Sequence, residues 1–510
     1  MNDQRRLMRF LLVLCILGLM VRVALAASFS GTIEDVSTDD KTITVKLAGK
    51  KEESKTFTLA PTAVILLDGK KAKFEDVSGG QTVVVLTNSG DTATKLTLKS
   101  PKNPPAGKKP KRTTEPGNES ASDTGSWPQY QGPNRDNISK ETGLLNQWPD
   151  GGPKLAWQQK GLGEGYSSVS IAEGKIFTMG TQGNQEMLLA MNSSNGKPIW
   201  TRQVSDSVFR NNQGNGPRST PTVDDDRVYA LGANGDLICV GIDQGEVVWQ
   251  KNILREYDGS NIEWGISESV LIDGNNVICY PGGRNATIVA LNKLTGQGVW
   301  RCTVDGSPRP SYASPILVDF GKERMIVNFV HTGVVAVRSK GGDFLWGFPQ
   351  SANGTANCSS PVYSNGMVFT SSGYNTGCAM FKLGTGGKAK VEYDNKEMKN
   401  HHGGMVVLED HVYGFDEGTL KCIDLKSGKT AWKDRSVGKG AVTYADGHLY
   451  LRSENGPVAL CVATTSGYQE QGRFEPRNRS NNSAWSHPVV CGGRLYLRDM
   501  DSLTVYDVKK

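Results

Sequence analysis

"ALNKLTGQGVW", residues 290–300, sets a small residue at its head, a glycine four places before its end and a tryptophan at its end. "AMNSSNGKPIW" (190–200), "CVGIDQGEVVW" (239–249), "AVRSKGGDFLW" (336–346) and "CIDLKSGKTAW" (422–432) keep the same three positions. The head residue is Ala190, Cys239, Ala290, Ala336 or Cys422, the turn residue is Gly196, Gly245, Gly296, Gly342 or Gly428, and the last residue is Trp200, Trp249, Trp300, Trp346 or Trp432. A glycine at a fixed offset between two strand-like runs marks a tight turn whose left-handed backbone it adopts without steric cost. Ten residues separate the small side chain from the tryptophan across that hairpin. The expected result is a packing joint in which the flat ring of one repeat lies over the small residue of its neighbour.

Weaker copies extend the series. "CAMFKLGTGGKAKVEY" puts Tyr393, and "ALCVATTSGYQEQGRF" puts Phe474, where the tryptophan is expected. From Trp157 to Phe474 the aromatic landmarks recur at steps of 39 to 51 residues, the length of one four-stranded propeller blade. Eight strand pairs open the repeats, from "YSSVSIAEGKIFTMG" to "WSHPVVCGGRLYLRD". The last is followed only by "SLTVYDVKK" and lacks an outer strand, which "GPKLAW" (152–157) is expected to supply. Closure by that strand removes the two exposed edges of an open ring. The reading is all-β, an eight-bladed propeller over 127–510, with seven blades as the alternative.

The rest of the chain divides by composition. Residues 1–26 carry Arg5, Arg6 and Arg9, an apolar run from Phe10 to Val21, and Ala24-Leu25-Ala26, the layout of a secretory signal peptide with a run too short to span a bilayer. Whether it is removed or kept as an anchor stays open. Residues 27–100 alternate apolar and polar in runs such as "TITVKL", "AVILL" and "TVVVL", which predicts a small β-barrel or sandwich resembling the OB-like barrels of exported bacterial proteins. Residues 101–126 are rich in Pro, Lys, Gly, Ser and Thr and read as a flexible basic linker. The formal charge of +6 resides largely in the signal and this linker, so composition gives no support to nucleic-acid binding. The expected mature protein is extracytoplasmic, periplasmic in the first instance, monomeric and without a transmembrane span.

The repeats, together with "WPQYQGPNRDNISKETGLLNQWP" (127–149), resemble the PQQ-like β-propeller repeat proteins. That family holds quinoprotein dehydrogenases and non-catalytic propellers such as the BamB-like factors of outer-membrane protein assembly. For the enzymes the resemblance implies pyrroloquinoline quinone (PQQ) over a tryptophan floor, a Ca²⁺ held by carboxylate and amide oxygens, an aspartate base and an adjacent Cys-Cys disulfide. This sequence has no Cys-Cys pair, and about 385 residues of propeller leave little room for the insertions that build such a site. The expectation is therefore a non-catalytic envelope scaffold, without cofactor, whose partner is an envelope protein or polysaccharide. The alternative is a periplasmic PQQ- and Ca²⁺-dependent alcohol or sugar dehydrogenase.

Binding mouths of propellers lie where inner strands begin. The candidates are Tyr166, Arg218, Trp264, Glu268, Tyr312, Asn357, His401, His402, Trp485 and His487, side chains suited to stacking and directed hydrogen bonds. No catalytic, cofactor or metal ligand is assigned. In "HHGG" (401–404) two adjacent histidines on an extended strand are expected to point to opposite faces and so not to share a metal. "DDD" (224–226) falls where other repeats carry hairpin turns. Of the eight cysteines beyond the signal, Cys239 and Cys422 occupy alanine positions and read as small buried hydrophobes; Cys358 and Cys378 are either bridged or free.

Overall fold

The computed structural model describes residues 27–37, 41–47, 53–67, 70–74, 77, 81–87, 92–99 and 125–510. The expected signal at 1–26 and the expected linker, up to 124, lie outside the described residues. The chain divides into two compact units, 1–119 and 120–510. In the first, strands β1 (Ala27–Ser37), β2 (Thr42–Leu47), β3 (Ser54–Leu67), β4 (Lys70–Lys71), β5 (Thr82–Thr87) and β6 (Thr92–Lys99) form one sheet. β1 pairs with β2 and β5, β2 with β3, β5 with β6, and β6 runs parallel to β3, so five strands pair in a closed circuit. Their alternate residues Ile33, Val45, Phe57, Val85 and Leu96 are buried together.

The second unit is an eight-bladed β-propeller. Blades 1 to 8 start their inner strands at Ser170, Thr222, Leu271, Ile316, Val362, Met405, Gly440 and Val489. Each blade is a four-stranded antiparallel sheet, and blade 7 gains a fifth, parallel strand, Ile138–Ser139. Blade 8 takes its outer strand from Lys154–Gln159, which pairs with Ser502–Asp507 and closes the ring as the sequence predicted. The core lies between successive blades, as where Tyr229, Cys239 and Trp249 of blade 2 pack with Val277, Val289 and Leu291 of blade 3.

The joints differ from the expected arrangement in one respect. Each small residue is the cross-strand partner of the tryptophan of its own blade: Ala190 opposite Trp200, Cys239 opposite Trp249, Ala290 opposite Trp300, Ala336 opposite Trp346 and Cys422 opposite Trp432. The seat on the neighbouring blade is the glycine. A Cβ on Gly245, Gly296 or Gly342 would stand 2.6, 2.7 or 2.3 Å from the ring of Trp200, Trp249 or Trp300. Gly196 lies likewise under Trp157 and Gly428 under Tyr393. The indole N–H groups of Trp200 and Trp249 then donate to Ile242 O and Lys293 O at the turn of the next blade, at 3.2 and 3.0 Å. Small residues beside the tryptophan leave room for the ring to lie down on that turn. Blade 7 departs from the pattern: its register puts Gly472, not Phe474, at the tryptophan position, opposite Leu460. Trp148 packs over Gly472 instead, and Phe474 still covers the next glycine, Gly152.

Candidate binding site in the central channel

Seven of the eight inner strands are preceded by a residue that lines one common cavity. Backbone-to-hydroxyl bonds put these positions in step: Thr220 N donates to Ser269 Oγ, Ser269 N to Ser314 Oγ and Ser314 N to Ser360 Oγ, all at 2.9–3.0 Å. Two residues before these four stand Arg218, Ser267, Tyr312 and Cys358. At the corresponding place stand Tyr166 and Trp485, four residues before the inner strands of blades 1 and 8, His402, three before that of blade 6, and Lys439, directly before that of blade 7. Of these eight residues, all but Lys439 line a cavity of about 450 Å³.

The cavity is blind. Its end is formed by the segment from Trp127, which enters on blade 1 through paired bonds with Ile171 and touches blade 2 through Pro128 O and Val223 N. Gln131, Gly132, Arg135 and Asn137 take positive φ, coiling "QGPNRDN" into a compact stopper. Arg135, 3 % exposed, donates to the carbonyls of Ser269, Val270 and Pro315 in blades 3 and 4, and Asn137 reaches Met405 in blade 6 and Tyr444 in blade 7. Burial lowers the Arg135 guanidinium to about 9, and the nearby Glu268 charge works against that shift. Tyr130, from the same segment, faces the cavity with its hydroxyl 3.4 Å from His487 Nε2.

Eight of the ten predicted residues, namely Tyr166, Arg218, Trp264, Tyr312, His401, His402, Trp485 and His487, line this one cavity. Glu268 and Asn357 do not. Each is the chain neighbour of a lining residue, Ser267 or Cys358, and neighbours along extended backbone point oppositely. Glu268 accepts from Tyr280 N at 2.8 Å, and burial pushes its carboxyl up to about 8. Asn357 donates to Val330 O and His331 O at 3.1 Å. The wall also contains Tyr130, Gln213, Thr355 and Tyr374, which lie outside the repeat position and carry no periodic signal.

The rings stand in sequence around the wall. Tyr374 meets His401 at 4.7 Å, His401 meets His402 at 4.5 Å, His402 meets Trp485 at 5.2 Å and Trp485 meets Tyr166 at 4.6 Å. The Arg218 guanidinium lies 4.8 Å over the Tyr166 ring, a cation–π distance, and its Nε donates to Trp264 O. Contrary to the expected opposite faces, His401 and His402 both turn into the cavity, because they sit on a bend and not on extended strand. Burial, with the charges of His402 and Lys439, lowers His401 to about 3; burial likewise lowers His487 to about 4. His401 Nδ1 faces Lys439 Nζ at 2.6 Å, and His402 Nε2 stands 2.7 Å from Glu454 Oε1, an ion-pair distance out of line for a hydrogen bond. Burial raises the Glu454 carboxyl, but its contacts with His402 and Lys439 outweigh that and hold it below its ordinary value.

All eight cysteines among the described residues are free thiols, Cys358 and Cys378 included, and burial pushes the Cys358 thiol up to about 12. Asp224 and Asp225 of the "DDD" turn pair with Lys293. Among the described residues no three His, Cys, Asp or Glu side chains are grouped so as to hold a metal ion, and no helix is long and apolar enough to cross a membrane.

The family model described as outer membrane protein assembly factor BamB matches residues 153–265 and 263–434, more than half of the chain. The outer membrane protein assembly factor BamB of Yersinia pestis is 27 % identical over 219 residues, 42 % of this chain and 50 % of that protein, so the match spans half of the relative's length. Among solved structures, BamB from Moraxella catarrhalis superimposes with a TM-score of 0.52 at 15 % identity, over 72 % of this chain and 98 % of that one. The quinohemoprotein alcohol dehydrogenase from Comamonas testosteroni does so with 0.52 at 13 %, over 76 % and 81 %. These likenesses show the fold. With its tryptophan joints, its strand-closed ring and a family model matched across six blades, the chain belongs to the BamB family of PQQ-like β-propellers.

Proposed function

We propose that the protein is an exported, non-catalytic propeller of the cell envelope that holds a partner in its blind channel. One observation carries this: the stopper led by Tyr130 and Arg135 bridges the ring, Arg135 donating to carbonyls of blades 3 and 4 and Asn137 O accepting from Tyr444 N of blade 7. What remains is a pocket open on one side and walled by rings, which suits holding a group more than turning one over. The donor set supports the same reading. Ca²⁺ takes six to eight oxygen ligands, with carboxylates prominent among them, whereas the side chains lining this wall include no Asp or Glu. The residues present do not fit the calcium centre of a quinoprotein, and no step is derived through it.

The first unit we read as an OB-like barrel, from its five-strand circuit with β3 parallel to β6. With the signal at 1–26 and the basic linker at 101–126, it would extend the reach of a monomeric propeller in the periplasm toward an envelope protein or polysaccharide. The competing reading is a PQQ-dependent alcohol or sugar dehydrogenase. Titrating the purified chain with PQQ and Ca²⁺ separates the two. The binding reading expects no quinone absorbance retained and no reduction of an artificial acceptor with alcohols or sugars; retention of PQQ with dye reduction would end it.

A further inference from the structure

The polar groups of the cavity wall are largely spent inside the protein. Tyr166 donates to Gln213 O at 2.7 Å and Ser267 Oγ to Gly265 O at 3.1 Å. Ser314 Oγ accepts from Ser269 N at 2.9 Å, and the Tyr312 hydroxyl from Trp264 N at 3.4 Å. Arg218 gives Nε to Trp264 O and Nη2 to Gly214 O. A ligand that brings hydroxyls or charges into this space leaves water for few partners, whereas an apolar group loses nothing by entering. The Tyr166 ring packs on Trp485 at 4.6 Å and carries the Arg218 guanidinium at 4.8 Å, so edges, not faces, are what it has left to offer. Ring edges are the positive part of an aromatic quadrupole and meet the negative face of another ring. With Arg218 in the wall and no Asp or Glu beside it, the lining repels a buried cation and suits an uncharged aromatic ring.

Tyr374 gives independent support. Thr376 N donates to Gly373 O at 3.1 Å across a turn whose central residues, Tyr374 and Asn375, have φ of 56° and 57°. That turn belongs to Gly, Asn and Asp, and a bulky ring in it is strained. Tyr374 is the one aromatic residue with positive φ among the described residues, and it is 45 % exposed at the cavity wall. Folding gains little from an exposed ring held at a cost in backbone strain; a ligand that enters beneath it supplies the missing contact.

The surroundings of these rings indicate what carries the ligand. Burial raises the hydroxyls of Tyr166, Tyr312 and Tyr374, and nearby carboxylates raise them further: Glu164 at the first, Glu263 at the second, Glu417 and Glu263 at the third. Glu454 is paired with His402 and Lys439, but Glu164, Glu263 and Glu417 have no ion-pair partner among the described residues. An apolar wall beneath unpaired carboxylates fits an aromatic side chain with basic neighbours. The stopper denies passage through the ring, so that side chain projects from a loop or a chain end.

We propose that the channel cavity seats an uncharged aromatic side chain, phenylalanine in the first instance, presented by a basic segment of a partner protein, with Tyr374 closing against it. This rests on the binding reading above and selects a protein over a polysaccharide as the partner.

Calorimetric titration of the full chain with an acetylated and amidated pentapeptide, Lys-Lys-Phe-Lys-Lys, tests it. Saturable binding is expected, weaker by about tenfold or more when Ala replaces the Phe, as loss of a buried apolar side chain implies. Glu in place of the four Lys should weaken it as well. Bound peptide should slow the alkylation of Cys358, the one cysteine among the described residues that is not buried, as read by peptide mapping. Tyr374→Asn should weaken the Phe peptide by about threefold to tenfold and keep or raise the melting temperature, because Asn tolerates positive φ. Glu263→Gln should weaken the Lys peptide and reduce its sensitivity to salt. Equal affinity for the Phe and Ala peptides, tighter binding of the Glu peptide, binding that leaves Cys358 as reactive as before, or no peptide binding at all overturns the assignment; early melting of Tyr374→Asn would make that ring part of the fold and count against it. If no peptide binds, absence of PQQ binding leaves the binding reading standing, whereas PQQ uptake with dye reduction overturns both.

Discussion

Gly296 meets two demands at one atom. Its φ of 69° lies in the left-handed region, and a Cβ there would stand 2.7 Å from the Trp249 ring. Gly274 has a similar φ of 59° with nothing within 4 Å of where its Cβ would lie. Gly274→Ala should therefore cost only the backbone strain, about 1 kcal/mol, while Gly296→Ala adds overpacking of about 1–3 kcal/mol. Comparing their denaturant midpoints isolates the joint, and equal losses would mean that Trp249 moves aside freely. His487 gives a second residue-scale prediction. It is buried, its Nε2 sits 2.8 Å from His402 O, and it is held neutral, its value lowered from 6.5 to about 4. The unfolded chain takes up that proton as pH falls below about 6.5 and the folded chain does not until about 4, so stability is lost across that window, by roughly 3 kcal/mol for a shift of this size. His487→Gln should flatten the acid limb of midpoint against pH, and an unchanged limb would assign the effect elsewhere.

At the scale of elements, the stopper was the least legible part of the sequence and the hairpins the most. A hairpin is local: glycine, small residue and tryptophan sit within eleven positions, so spacing alone reveals it. The same logic located the ring of residues before each inner strand, and it failed by one position at Glu268 and Asn357, where alternation turned the neighbouring side chain outward. The segment 127–139 has no period, and its fold is set by carbonyls that blades far along the chain present to Arg135 and Asn137. Tyr130 was missed for the same reason, and Tyr374, in the turn between the second and third strands of blade 5, lies outside the repeated position before the inner strands. If Arg135 anchors the stopper, Arg135→Ala should cost about 2–5 kcal/mol, as expected when buried acceptors lose a charged donor. Hydrogen exchange should then show lost protection in 127–139 and at Tyr444 N, which bonds to Asn137 O, with the outer strands of blades 2 to 5 unchanged. Uniform loss across all blades would make Arg135 a general core residue instead.

For the whole molecule, a ring built from repeats has one joint unlike the others, the place where its two chain ends meet. Seven blades are continuous in sequence, so opening between them leaves the chain connecting both sides; blade 8 is held together by the ladder from Lys154–Gln159 to Ser502–Asp507. Trp157, opposite Val505, lies over Gly196 of blade 1 and thereby ties the closing strand to the first blade as well. The missing last strand was readable from the sequence because an incomplete repeat needs a donor. The strength of the closure was not, because it depends on contacts between the two ends. Trp157→Ala and Trp249→Ala remove the same kind of lid, and each should cost about 3–5 kcal/mol. Only the first should lower the free energy of opening the ring, because an opened blade 8 exposes a strand edge that a second molecule can pair with. Trp157→Ala is therefore expected to show proteolytic cleavage between 140 and 165 and a concentration-dependent dimer by sedimentation, with Trp249→Ala remaining monomeric and uncut. Matching behaviour in the two variants would mean that the closing joint is no weaker than the one at Trp249 and that the ring unfolds as a unit wherever it is weakened.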